Sequence, residues 1–366
     1  MANFEPTAVH GVSKYGPKGL FTTTSFDRFQ LDLSHQQILQ TAANYSLSKK
    51  SWSSYKTAEN MLRKCQEQTG KIMKLPLEEK DVLLFIAWLM ERGLQSRTIS
   101  SYLSGLRMMH LSQGVYVPVL RSDLVKQILE GRLHFDAVVK RIENKPIRLP
   151  VTPTLMKLLK LEIKDSLLCK ETKRLLWAVI TICFAGGFRI HELLSTQEKY
   201  FDPLYTLLGE DIKVKAIKHA GEEIEILQIK LKSQKTDRVG VDCIVDVYES
   251  GGNFCPVRAF KKWEKTTTQL HNSKPAFRLE SGKPLTGKKL NTQLKKLLEK
   301  HVDYKKERIS SHSFRAGIAT LMGQLGYTDQ EIQALGRWSS RAFEAYLKLP
   351  RTKRLAMARE IGKLGL

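Results

Sequence analysis

Over one window of this chain, residues 212–247, the apolar side chains fall mostly at every second position, whereas before and after it they recur three and four apart. Segments 212–217, 224–231 and 241–247 therefore read as three short strands, separated only by HAGE at 219–222 and by KSQKTDRVG at 232–240. Connections this short join antiparallel neighbours, because a parallel pair needs a crossover of a dozen residues or more. The expected fold is mainly α with a small three-stranded antiparallel sheet.

The helical part divides in two. Residues 1–25 mix Gly, Pro, Thr and Ser without periodicity and read as a flexible arm, and residues 26–143 are helical throughout. A helix is expected near 36–45. A second starts near Ser51 and carries Trp52, Tyr55, Ala58, Leu62 and Cys65 on one side. A third opens at 77–79 and buries Val82, Phe85, Ile86 and Leu89; a fourth, capped by Ser96, uses Ile99, Leu103 and Leu106; a fifth, capped by Ser122, uses Leu124, Val125, Ile128 and Leu129. Three prolines in NKPIRLPVTP mark 144–153 as a linker. Thr152 and Pro153 then restart helix, a cap followed by a proline in the first turn, and 154–366 forms a second domain with a C-terminal tail. Its apolar run at 175–188, flanked by Lys173, Arg174 and Arg189, suits a buried helix and is too short for a membrane span. Later helices open at Pro256, with Phe260 and Trp263, and at Thr286, with Leu290, Leu294, Leu297 and Val302.

Charge selects the partner. The 366 residues hold 60 Lys plus Arg against 37 Asp plus Glu, a net charge of +23. That excess implies a polyanion and binding that weakens steeply with salt. Lys288, Lys289, Lys295, Lys296 and Lys300 form one basic helix face, either solvated or laid against phosphates. The basic helical domain reads as a DNA clamp, or else as a protein-interaction bundle. Cys65, Cys169, Cys183, Cys243 and Cys255 are scattered and odd in number, which points to a reducing compartment and no structural zinc. No signal peptide, transmembrane segment or nucleotide-binding glycine loop is expected, so neither membrane nor nucleotide enters the reading.

The chemistry concentrates in 310–350, SSHSFRAGIATLMGQLGYTDQEIQALGRWSSRAFEAYLKLP. His312 and Arg315 sit three apart on a helix capped by Ser310 or Ser311, with Phe314, Ile318, Leu321 and Leu325 as its apolar stripe, so both polar side chains leave one face. Gly326 ends that helix. Thr328 with Glu331 makes a capping box for the next, which carries Ile332 and Leu335 and closes at Gly336. Trp338 lies at the turn, and Ser339 or Ser340 caps a third helix carrying Tyr346 before Pro350. Taken singly, each has a plainer explanation: a chance HxxR, a packing tryptophan, a core tyrosine, or a helix-turn-helix that only reads DNA.

Together, HSFRAG, LGRW and AFEAY resemble the carboxy-terminal signature of the tyrosine recombinase family, including the 23-residue separation of Arg315 from Trp338. Trp338 and Tyr346 are eight apart, one fewer than in bacterial and phage members, and GRWSSRAFEAY is similar to the recombinases of eukaryotic mobile elements of the Crypton and DIRS-like groups. Arg189, in FRIHELL after two glycines, resembles the family's first catalytic arginine, with Glu192 as a structural buttress; SQKTD resembles its strand-turn lysine segment, with Lys235 preferred over Lys232. The resemblance implies a helical core-binding domain, a mixed α/β catalytic domain and a phosphodiester exchange with no cofactor. Arg189 and Arg315 would hold the non-bridging oxygens, Tyr346 attack phosphorus, His312 assist its deprotonation, Trp338 donate its indole N–H, and Lys235 protonate the leaving 5′ oxygen. It also implies double-stranded DNA as partner, a homotetramer on two sites, a C-terminal segment docked on a neighbouring subunit, and a nuclear location for a eukaryotic source or a cytoplasmic one for a bacterial source. A monomeric type IB topoisomerase and a domesticated DNA-binding regulator that never cuts are the alternatives.

Overall fold

The computed structural model of the protein describes residues 21–46, 49–142, 149–203, 205–219, 221–232, 243–267, 272–304, 309–338 and 344. The chain forms two compact units, 1–145 and 146–366.

The first unit is helical: α1 (Leu33–Tyr45), α2 (Lys49–Thr69), α3 (Glu79–Glu91), α4 (Ser96–Ser112) and α5 (Asp123–Ile142). Its core gathers Ala58, Leu62 and Cys65 from α2, Val82, Phe85, Ile86 and Leu89 from α3, and Ile99, Leu103 and Leu106 from α4. Helices α2 and α4 cross closely at Gly105, where an added Cβ would lie 2.8 Å from that of Ala58. His110 is a satisfied core residue, its Nε2 accepting from the Leu77 N–H at 3.2 Å and its Nδ1 lying 2.7 Å from the Leu106 carbonyl oxygen.

Three sequence expectations are corrected here. The described residues before Phe26 already take part in the fold, with a 3₁₀ turn over Thr23–Phe29 in which Ser25 is buried and donates to the Ser112 carbonyl. Gln95, not Ser96, caps α4: the Ser96 N–H goes to Asp136 at 2.9 Å and its hydroxyl to the Leu129 carbonyl at 2.8 Å, so the serine ties α4 to α5. On α5, Val125 is buried but Leu124 is 49% exposed, because the helix turns a narrower face inward than its apolar content suggests.

In the second unit, Thr152 caps α6 (Pro153–Asp165) through the Leu155 N–H at 3.2 Å, with Pro153 in the first turn. Helix α7 (Lys170–Ala185) is buried from Leu175 onward apart from the half-buried Trp177 and Ala185, and packs on α9 (Pro256–Glu264). Burial pushes the Cys183 thiol far above its ordinary pKa. The sheet is β1 (Ile212–His219), β2 (Glu222–Leu231) and β3 (Cys243–Tyr248), antiparallel in that order, with Ile212 opposite Ile229, Ile217 opposite Ile224, and Leu227 opposite Val247. The core beside it includes Phe260, Trp263 and Phe277, the Trp263 ring lying 5.7 Å from Phe260 and 5.2 Å from Phe277. A single-turn helix, α8 (Ile190–Leu193), follows α7, and α10 (Gly287–Leu297), α11 (Ser311–Leu325) and α12 (Asp329–Gly336) complete the described unit. Val302 and Leu325 were expected in apolar stripes but are 75% and 68% exposed, because α10 stops at Leu297 and Leu325 is the last residue before the left-handed Gly326.

Candidate functional site

Two glycines at the end of α7 set the position of Arg189. Gly186 caps the helix with its N–H on the Ile182 carbonyl, and the Phe188 ring fills the space a side chain there would need, 2.2 Å from an added Cβ. Gly187 takes φ +56°, a conformation that glycine adopts freely and that turns the chain back on itself. Phe188 is thereby buried and Arg189 emerges as the cap of α8, 16% exposed at its side chain. Glu192 has no side-chain exposure: one oxygen accepts from Arg189 Nη1 at 2.9 Å and the other from the Arg189 N–H at 2.9 Å.

Helix α11 brings Arg315 to the same place. It is pressed onto the segment entering α6, where Val151 N–H donates to the Ser313 carbonyl at 2.9 Å and an alanine at Gly317 would place Cβ 2.2 Å from the Val151 oxygen. Arg315 is only 7% exposed, and its Nη1 donates to the Gly187 carbonyl, 128 residues away in sequence. His312 is exposed at the first turn of α11, so the two residues three apart on the helix stand at different depths.

Helix α12 supplies the third wall. Thr328 accepts from the Glu331 N–H at 3.3 Å while Glu331 accepts from the Thr328 N–H at 2.7 Å, the reciprocal box that the sequence announces. The left-handed residue that closes α12 is Arg337, at φ 53°, one later than the expected Gly336. Gly336 instead leaves room for the Trp338 ring, which an added Cβ would approach to 1.6 Å. That indole is buried with Ala319 and Ile332, and the Arg315 guanidinium stands 4.2 Å from its ring centre. Arg337, absent from the sequence reading, donates to the Gly186 carbonyl at 3.1 Å, to the Leu335 carbonyl at 3.2 Å and to the second oxygen of Glu192 at 3.3 Å. No motif spacing marks it; the only signal was a cation directly after the glycine expected to close the helix.

Arg189, Arg315 and Trp338 are thus brought together, with His312 on the same helix as Arg315. Lys235 and Tyr346 lie outside the described residues, as do the Ser339 or Ser340 cap and the tail at 351–366. Lys232, the competing lysine, pairs at 3.1 Å with Asp211, a buried carboxylate that also accepts from the Leu208 N–H. On the basic face of α10, Lys289 pairs with Glu198, and beyond the helix Lys300 pairs with Glu162; Lys288, Lys295 and Lys296 are exposed. Cys169, Glu171 and Glu280 bring three ligand-type atoms within 4.8 Å of one another, with Cys169 just before the start of α7 and Arg189 beyond its end. Among the described residues no helix is long and apolar enough to cross a membrane.

A mostly helical chain with this small antiparallel sheet has the fold of the tyrosine recombinases. Three DNA-bound structures share it. The Tn1549 transposon integrase in complex with transposon right end DNA superposes at TM-score 0.56 with 14% identity over 87% of this chain and 95% of its own. The XerH site-specific recombinase in its post-cleavage complex with palindromic difH gives 0.57 and 16% over 91% and 86%, and a lambda integrase dimer on a COC′ core site gives 0.52 and 13% over 94% and 81%. The sequence matches no protein-family model and no curated protein.

Proposed function

We propose that this protein is a site-specific DNA recombinase or integrase that cuts and rejoins strands through a 3′-phosphotyrosyl intermediate. The observation that carries the reading is the bond from Arg315 Nη1 to the carbonyl of Gly187, 128 residues away and two residues before Arg189, which draws the two arginines toward one place. Two planar guanidiniums suit the non-bridging oxygens of a phosphodiester, where negative charge grows as phosphorus becomes five-coordinate. The DNA complexes of the neighbouring structures support the same substrate class.

In this mechanism the Tyr346 oxygen attacks phosphorus and the bond to the 5′ oxygen breaks. His312 assists loss of the tyrosine proton, Lys235 delivers a proton to the departing 5′ oxygen, and Trp338 lines the site. A 5′ hydroxyl from a second strand then attacks the phosphotyrosyl bond and releases Tyr346. One phosphoester is exchanged for another at each step, so no nucleotide energy is required. We further assign the chain to the Crypton and DIRS-like groups on its GRWSSRAFEAY segment, with a homotetramer on two duplex sites and a nuclear location.

The test uses duplexes selected from a random library by binding, then nicked so that cleavage releases a short strand and traps the enzyme. A covalent adduct on a 3′ phosphate, lost in Tyr346→Phe with DNA binding intact, is the expected result. Attachment through Tyr327 or Tyr304, or no adduct on any selected duplex, overturns the assignment. Relaxation of supercoils by a monomer without joining of two sites would indicate a topoisomerase instead.

A further inference from the structure

We propose that Arg337 is a positioning residue for Arg189, acting through Glu192; the proposal rests on the recombinase reading for its catalytic consequence but not for its structural one. Glu192 is a fully buried carboxylate, and such a group is stable only when its oxygens are paired. One oxygen is taken by Arg189 Nη1, and the other is shared by the Arg189 N–H and Arg337 Nη2. The clip has a fixed far end. Arg337 Nη1 is held by the carbonyls of Gly186 and Leu335, at the ends of α7 and α12, and its guanidinium lies 4.6 Å from the centre of the Phe188 ring.

Two consequences follow. The first is geometric: Glu192 cannot rotate without losing Arg337, so Arg189 is held in one orientation beside Gly187. The second is electrostatic. A lone Arg189–Glu192 pair would be neutral and have little pull on a phosphate oxygen, whereas two guanidiniums on one carboxylate leave a surplus positive charge in a site of low dielectric. The backbone agrees with a side chain kept for its contacts. Arg337 sits at φ 53°, which glycine would take without strain and an arginine takes at a cost.

Arg337→Gly therefore removes the guanidinium while relaxing the backbone, and separates positioning from mere helix capping. In full-length protein labelled with ¹⁵N-arginine, without DNA, the Arg189 guanidinium signals, identified by their loss in Arg189→Lys, should show slow Nη rotation in the wild type and fast rotation in Arg337→Gly. On a duplex that the wild type cleaves, Arg337→Gly should lower kcat about 10²-fold with KM unchanged, and added ethylguanidinium should restore much of the rate. Arg337→Lys, which keeps the charge and the fold but cannot span three acceptors, should fall between. Unchanged Arg189 signals in Arg337→Gly, or a kcat loss that ethylguanidinium does not relieve, overturns the proposal. If the wild type cleaves no duplex, the recombinase reading fails and the guanidinium signals alone decide whether Arg337 positions Arg189.

Discussion

Arg315 donates from Nη1 to the carbonyl of Gly187, so the buried guanidinium of α11 is tied to the backbone two residues before Arg189. The bond couples the two cations: neither can shift without disturbing the turn at Gly187, whose Cα side faces Ile318 at 3.4 Å and Gly336 at 3.6 Å from an added Cβ. Preorganisation of this kind lets donors stabilise a developing charge without moving during the reaction.

Replacing Arg189 or Arg315 by Lys keeps the charge and loses the planar fork. Cleavage in a single-turnover assay should fall by about 10²–10³-fold, the scale of losing one preorganised donor, while duplex affinity in a mobility-shift assay changes little. Normal cleavage by either variant would reduce that arginine to background charge.

Gly336→Ala tests the stacking of Trp338 beneath Arg315. A methyl group there would lie 1.6 Å from the indole, so the ring must move and take with it the face on which Arg315 rests. Overpacking of this kind costs about 1–3 kcal/mol, to be read as a lower urea midpoint. Adduct formation should drop further than that loss explains. Retained adduct yield at full folding would show that the Arg315–Trp338 contact is dispensable.

Much of this arrangement was written locally in the sequence. The Thr152, Thr286 and Thr328 caps, the strand period and the two glycines before Arg189 each act within a few residues, and each appears where its pattern predicts. What escaped depends on partners far away in the chain. Ser96 reads as a cap until Asp136 is seen to accept its N–H, Lys232 reads as the competing candidate for the turn lysine until Asp211 appears beside it, and Arg337 gains its meaning only from Gly186 and Glu192. Periodicity also overstates burial at some helix ends: Leu325, the last residue of α11, is 68% exposed, although Leu297, the last of α10, is buried.

Glu162 gives the second unit a pH dependence. Burial raises its pKa, but hydrogen bonds from Lys300 and His301, each at 2.9 Å, outweigh burial and hold the carboxyl below its ordinary value of 4.5. A group whose pKa is lower in the folded state stabilises the fold above its unfolded value, and that contribution is lost as pH falls through the folded value. Glu162→Gln should therefore be less stable than the wild type at neutral pH, and the gap in urea midpoint should close as the pH drops below 4.5. A gap that persists in acid would mean that shape rather than charge holds this contact.

The choice between Lys235 and Lys232 turns on what the Lys232 ammonium is already doing. Lys232 is 19% exposed and bound to the buried carboxylate of Asp211, so giving up its proton would leave that charge without its cation. Lys235, in the same connection between β2 and β3, is the proposed acid. In the proposed mechanism, attack by Tyr346 would make the 5′ oxygen leave as an alkoxide unless it is protonated, and a positioned acid is worth about 10²–10⁴ in rate. Sulfur in place of that bridging oxygen leaves as a thiolate and needs no proton. Lys235→Ala should cripple cleavage of ordinary DNA yet cleave a 5′-bridging phosphorothiolate at nearly the wild-type rate. Lys232→Ala should instead lower the stability of the second unit and affect both substrates alike. Thiolate rescue of Lys232→Ala, with equal losses for Lys235→Ala on the two substrates, would exchange the roles of the two lysines.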